Sequence, residues 1–159
     1  MEQPARSAII AVMSLFDKKP RWYAAGLAFE CVGCGGCCSG PEEGYVWVSD
    51  EEVEAIAQTL GLASAQMRRR YVRRVGRRQS LVERRDNHDC IFLKPDGQGG
   101  KTCAIYDVRP VQCRTWPFWP MNLANPSAWA KAGQRCQGIN RGRPFTLDEI
   151  EDRRNATKV

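Results

Sequence analysis

The sequence predicts a small α+β domain of short helices and short antiparallel strands, joined by irregular loops that cysteines staple. Three observations lead there. Ser49 with Glu52, and Thr146 with Glu149, have the spacing of capping boxes and so mark helix starts. Short β-rich runs flank the turn Pro95-Asp96-Gly97-Gln98-Gly99-Gly100, which suits a hairpin. Eight cysteines stand mostly among glycines and prolines, where regular structure stays short.

Taken in order, residues 8–16 follow Arg6 and place Ile9, Val12, Met13 and Phe16 on one face of an amphipathic N-terminal helix. Residues 44–48 read as a short strand. Ser49 then opens a helix carrying Val53, Ile56, Ala57 and Leu60 on one face and stopping at Gly61. Ser64 is the expected cap of a second helix with Met67, Tyr71, Val72 and Val75 inward, arginines outward and Gly76 weakening its end. Residues 81–83 and 91–93 read as strands, and 101–104 as the returning arm of a hairpin. Pro110, Pro117 and Pro120 exclude a long helix over 108–120, so Trp116, Phe118 and Trp119 are expected to pack from irregular backbone. Thr146 opens a short terminal helix. The expected organisation is an N-terminal helix over 1–20, a cysteine-rich domain over 21–140 and a tail with a short helix over 141–159.

The chain has 159 residues, 43% hydrophobic and 26% charged, as in ordinary soluble domains. No apolar run approaches the roughly 20 residues that cross a bilayer. The apolar stretch 8–16 is followed by Asp17-Lys18-Lys19-Pro20-Arg21 rather than a cleavage site, so the protein is expected to stay in the cytoplasm. There its thiols are reduced, and cysteine clusters hold metal more often than they form disulfides.

Cys31, Cys34, Cys37 and Cys38 fall within eight residues, and Gly33, Gly35 and Gly36 fill most of the gaps. Two-residue gaps turn successive sulfurs toward one small centre, and glycine lets backbone amides approach anionic sulfur. Cys90, Cys103, Cys113 and Cys136 complete the eight. Eight thiols can build two four-sulfur sites, or one site with spare ligands. The side chains of the neighbours Cys37 and Cys38 are expected to diverge. Zinc asks only for tetrahedral thiolates, whereas an iron–sulfur cluster favours close cysteines, backbone amides and an aromatic shell. Gly33, Gly35, Gly36 and the tryptophans near Cys113 favour an iron–sulfur cluster, [4Fe–4S] among its forms, with zinc as the alternative. The single histidine, His88, reads as a turn residue, and no catalytic constellation is visible beyond the thiols. No Lys-Ser/Thr follows the glycines, which excludes a phosphate-binding loop.

Phe29-x-Cys31-x-x-Cys34-Gly35-x-Cys37-Cys38, then Cys90-x-Phe92-Leu93, then Cys103-x-Ile105-Tyr106-x-x-Arg109-Pro110-x-x-Cys113-Arg114-x-x-Pro117-Phe118, resembles the YkgJ-type cysteine-cluster family, the zinc- or iron-chelating CxxCxxCC domain. The resemblance implies a metal-chelating domain with Cys31, Cys34, Cys37, Cys38, Cys90, Cys103, Cys113 and Cys136 as ligands, and a redox, metal-handling or accessory role. Arg109 and Arg114 belong to the same motif, either beside the anionic sulfurs or in surface ion pairs. One branch of the family is similar to a flagellin lysine N-methylase, which implies an accessory or catalytic part in such a system. This chain, however, carries no glycine-rich turn for a methyl donor.

The formal charge is +6, and seven arginines lie between Arg68 and Arg78. A zinc-stapled module that contacts nucleic acid or an acidic partner through them is the competing reading. With few aromatics interleaved, the solvated basic face is favoured over nucleic acid, and the protein partner stays unknown.

Overall fold

The computed structural model describes residues 20–157. Ile9, Val12, Met13 and Phe16 of the expected N-terminal helix lie outside them. Strands β1 (Leu27–Phe29), β2 (Val46–Val48), β3 (Val72–Val75), β4 (Arg78–Leu81), β5 (Leu93–Pro95), β6 (Lys101–Cys103) and β7 (Ile139–Phe145) alternate with helices α1 (Asp50–Thr59), α2 (Ser64–Tyr71), α3 (Val111–Thr115), α4 (Pro126–Arg135) and α5 (Leu147–Ala156). The strands pair antiparallel in three small sheets, β1–β7, β2–β4–β3 and β5–β6. The fold is α+β, as expected.

Both capping boxes form. The Ser49 hydroxyl accepts from the Glu52 amide at 3.2 Å, and the Glu52 carboxylate accepts from the Ser49 amide at 2.8 Å. Such caps contribute about 1 kcal/mol each. The other Glu52 oxygen accepts from the Val111 amide at 2.6 Å, so the cap of α1 also anchors α3. Val53, Ile56 and Ala57 are the buried residues of α1, on the face the sequence predicts.

The second helix is shorter than expected. It ends at Tyr71, and Val72 to Val75 form β3, paired with β4 from Val72 opposite Leu81 to Val75 opposite Arg78. β-Branched Val72 and Val75 suit a strand, and Gly76 takes the left-handed φ of 59° that the connecting turn requires. The cap of α2 is Ala63, not Ser64. Gln66 accepts from the Ala63 amide at 3.2 Å, and the Ser64 hydroxyl donates to Glu54.

The strand expected over 81–83 sits earlier, and Glu83 makes only a lone bridge with Cys90. Ile91 and Phe92 form a turn, with β5 starting at Leu93. The hairpin to β6 forms, its turn closed by Asp96 accepting from Gln98 and Gly100 at 2.8 and 2.9 Å. Within 108–120 the backbone is not wholly irregular. Pro110 precedes the five-residue α3, which stops before Pro117. Helix α4 opens on Asn125, whose side chain accepts from the Ala128 amide at 2.9 Å. Strand β7 runs through position 141 and pairs with β1, so the C-terminal segment is built into the fold.

Two apolar clusters hold these elements. One contains Val53, Ile56, Met67, Leu81, Phe92 and Ile105. The other centres on Phe118, which is 0% exposed and whose ring lies 6.0 Å from Phe29, 5.7 Å from Trp129 and 4.9 Å from Phe145. Cys90 is buried in the first cluster and Cys136 in the second, so the cysteine-bearing segments belong to both.

Candidate metal centre

The site is built on a tight turn. Gly35 adopts a left-handed φ of 69°, and the 3-10 turn Gly36–Cys38 follows, closed by the Cys38 amide donating to the Gly35 carbonyl at 2.9 Å. Such tight coiling overrides the expected divergence of neighbouring side chains: the Cys37 and Cys38 sulfurs stand 3.6 Å apart. The Cys90 amide then donates to the Cys38 carbonyl at 2.8 Å, holding the backbone of Cys90 against the first turn. Cys103 ends β6 opposite Leu93, whose amide returns to the Cys90 carbonyl at 2.9 Å. Cys113 sits in the middle of α3, which is oriented by Gln112. That side chain accepts from the Trp47 amide and donates to the Tyr45 carbonyl, both at 2.8 Å.

Electrostatics tie these thiols together. The Cys38 thiol donates to Cys37 and holds Cys37 down at about 7, with Arg109 and Arg135 adding to the effect. Cys38 is pushed up by that same bond, by burial and by the neighbouring Cys113 and Cys90. Burial raises Cys90 to about 11, and Cys103 adds to it. Burial also raises Cys113, reinforced by Cys90, Cys37 and Cys103. Cys103 rises for the same first reason, with Cys37 and Cys31 contributing. Cys37 is thus held down, while Cys38, Cys90, Cys103 and Cys113, from four separate segments, resist ionising, a penalty that a shared cation offsets.

The remaining three lie around this group. Cys31 is exposed and hydrogen-bonded to Tyr106, and this bond and then burial raise the Tyr106 phenol. Arg109 lies over the Tyr106 ring at 3.6 Å and donates to its carbonyl at 2.8 Å. Cys34 is half-buried, and Cys136 is buried. They come from elements in close approach: a Cβ at Gly36 would run into the Arg135 carbonyl, and Arg135 donates to the Gly36 carbonyl at 3.3 Å and to that of Ser39. Among the described residues no three Cys, His, Asp or Glu side chains are already gathered as a metal-holding group. His88 takes a positive φ of 56° in its turn, with Nδ1 3.7 Å from Glu83.

Two supports escaped the sequence reading. Arg135 clamps the first turn, and buried Asp89 accepts from Lys101 at 2.7 Å and from the Gly40 amide at 3.1 Å, tying that turn to β6. Nothing local announces a lysine–aspartate pair twelve residues apart, whereas Tyr106 already stood inside the cysteine motif.

The donor set suits a thiophilic cation. Thiols dominate, the charges of Arg109 and Arg135 help to hold Cys37 down, and the buried indole N–H of Trp116, three residues from Cys113, has no hydrogen-bond partner among the described residues. A donor of that kind is what anionic sulfur accepts from.

Eight cysteines in this order and spacing place the chain in a class of cysteine-cluster domains. The family model described as "Putative zinc- or iron-chelating domain" matches residues 30–137, more than half of the chain, and the protein belongs to this CxxCxxCC family. It is also similar to "Uncharacterized protein MJ0661" of Methanocaldococcus jannaschii, with 32% identity over 100 residues, covering 60% of this chain and 48% of that protein. The chain thus spans about half the length of this curated relative. No solved structure matches it. Among the described residues no helix is long and apolar enough to cross a membrane.

Proposed function

We propose that the protein holds an iron–sulfur cluster, with Cys37, Cys38, Cys90, Cys103 and Cys113 as the core of the ligand set and Cys31, Cys34 and Cys136 completing the eight. One observation carries the reading: the Cys37 and Cys38 sulfurs stand 3.6 Å apart, the Cys90 amide closes on the Cys38 carbonyl at 2.8 Å, and Leu93, opposite Cys103, bonds back to the Cys90 carbonyl at 2.9 Å, so cysteines of separate segments are held against one another where a cation would displace their protons. Iron–sulfur is favoured over zinc by the glycine-lined turn, which leaves backbone amides close to sulfur, and by the unpaired indole N–H of Trp116. When bound, such a cluster supplies one-electron chemistry at a potential set by its surroundings. This chain's own residues supply those surroundings. Arg109 and Arg135 place positive charge beside Cys37, Tyr106 bonds to Cys31, and Asp89 with Lys101 fixes the spacing of the Cys38 and Cys103 segments. The role that follows is electron transfer, redox sensing or metal handling in partnership with another protein.

The test is metal content across Cys38→Ser, Cys90→Ser and Cys113→Ser, with the exposed Ser127→Ala as a control away from the turn. Each cysteine variant should lose most of its iron and sulfide while the control keeps them. Full metal content in all three would sink the ligand assignment. Stoichiometric zinc without sulfide, lost in the same variants, would keep the ligands and replace the cluster with a static zinc site.

A further inference from the structure

The sulfurs of Cys37 and Cys38 are in hydrogen-bonding contact at 3.6 Å, and the turn that brings them together is held on both sides of the pair. The Gly35 carbonyl accepts from the Cys38 amide at 2.9 Å and from the Ser39 hydroxyl at 3.1 Å. Arg135 donates to the carbonyls of Gly36 and Ser39, and the Cys90 amide donates to that of Cys38. The backbone is therefore anchored before and after the two thiols, and their contact is a property of the fold.

Exposure distinguishes the pair. Cys31 and Cys37 are the exposed cysteines, and Cys38 is half-buried. Cys31 is hydrogen-bonded to the Tyr106 phenol, whereas Cys37 touches a second thiol. An oxidant that reaches Cys37 thus finds an accessible sulfur with a resolving partner already beside it, the arrangement of redox-sensitive cysteines. Cys34, the partner that a Cys-x-x-Cys spacing would choose, lies toward Gly36, its sulfur 3.6 Å from where a Cβ on that glycine would stand. The Cys37–Cys38 peptide is trans, so the two α-carbons are about 3.8 Å apart, less than the roughly 4.4 Å at which ordinary disulfides begin. A bond between these sulfurs is strained, and small thiols reduce it readily.

We propose that Cys37 and Cys38 close to a reversible disulfide when a peroxide reaches the chain ahead of its metal, so that oxidation and metal loading exclude one another. In the first step the Cys37 sulfur gives two electrons to the peroxide. The O–O bond breaks, an S–O bond forms, and water or an alcohol leaves. The Cys38 sulfur then attacks the sulfenic acid. The S–S bond forms, the S–O bond breaks, and the hydroxyl leaves as water with the Cys38 proton. A low-molecular-weight thiol reverses the reaction through a mixed disulfide and is itself oxidised to a disulfide. Closure of the bond needs only the geometry of the turn. Its effect on the metal rests on the ligand roles proposed above, because neither sulfur can then serve as a thiolate.

The test treats the full-length protein with a chelator and equimolar hydrogen peroxide together, alkylates it with N-ethylmaleimide and maps its peptides by mass. The tryptic peptide spanning 22–68 should be two hydrogens lighter, with Cys31 and Cys34 alkylated and Cys37 and Cys38 not. Cys38→Ser should stop at the sulfenic acid of Cys37, trapped by dimedone, and Cys37→Ser should give neither product. Cys34→Ser should still form the disulfide. In urea the selectivity for the neighbouring pair should disappear, since the turn no longer holds the sulfurs together. With zinc ions as the metal probe, the oxidised protein should lose most of its uptake and regain it after dithiothreitol, and zinc bound beforehand should shield both thiols. Cys37 and Cys38 still open to alkylation after peroxide, a Cys34–Cys37 disulfide in their place, or the same pairing in urea would overturn the disulfide. If zinc shields the two thiols even then, the ligand assignment stands without it. A Cys37–Cys38 disulfide that leaves zinc uptake unchanged would overturn the mutual exclusion, and with it the ligand roles of these two residues.

Discussion

Asp89 is the most informative single position outside the cysteines. It is 6% exposed, and its two oxygens accept from the Lys101 ammonium at 2.7 Å and the Gly40 amide at 3.1 Å. It therefore ties the loop after Cys38 to the strand that ends in Cys103, and it immediately precedes Cys90. Lys101 holds its carboxyl below the usual range. Alanine removes both bonds. A hydrogen bond to a charged partner is worth about 1.5–3 kcal/mol and a neutral one about 1 kcal/mol. Lys101 is 45% exposed and regains water when released, so the cost falls toward the low end, about 2–3 kcal/mol. For a chain of this size, that lowers Tm by about 4–12 °C. Asp89→Asn keeps an acceptor for Gly40 and should cost about half as much. Thermal unfolding followed by circular dichroism reads both, with metal content measured on the same samples. An Asp89→Ala protein melting within about 2 °C of wild type, or an asparagine variant as damaged as the alanine, would refute the reasoning.

Phe118→Ala empties the centre of the second apolar cluster, where the ring is 0% exposed and meets Phe29, Trp129 and Phe145; urea unfolding should show a loss of about 3–5 kcal/mol. Gly36→Ala puts a Cβ into the Arg135 carbonyl and pushes the first turn away from the end of α4, so metal per chain should fall while helical content stays unchanged by circular dichroism. Arg143 holds Glu149 at about 2, well below its ordinary value. Because the folded value is the lower one, that pair's contribution to stability is present above the ordinary carboxyl value of about 4.3 and disappears as pH falls toward 2. An NMR titration should find the Glu149 carboxyl ionising near that low value, and Arg143→Ala should return it to the ordinary range.

What the sequence made legible follows the range of the signals. Capping boxes are local, and both Ser49–Glu52 and Thr146–Glu149 form as their spacing implies. The hairpin around Asp96 is equally local. The end of α2 was misread because Met67, Tyr71 and Val75 fit a helical stripe, while the pairing of Val72 with Leu81 that wins over it is visible only in three dimensions. Strands β1 and β7 pair across more than a hundred residues, from Leu27 to Phe145, and no local pattern marks either. Helix α4 did carry a signal, since Asn125 followed by Pro126 is a good helix start. The cysteine order and spacing revealed the family. Spacing could not reveal that a 3-10 turn brings the Cys37 and Cys38 sulfurs together, or that Arg73 and Arg78 lie over the rings of Tyr45 and Trp47.

The central claim, that the thiols gather around a bound cation, is tested most directly by purifying the wild-type protein without oxygen and measuring iron, zinc and acid-labile sulfide per chain together with its visible spectrum. The account predicts iron and sulfide in matching amounts, with broad visible absorption that bleaches on reduction by dithionite. A well-folded protein with all eight thiols free to titrate and no transition metal bound would contradict it.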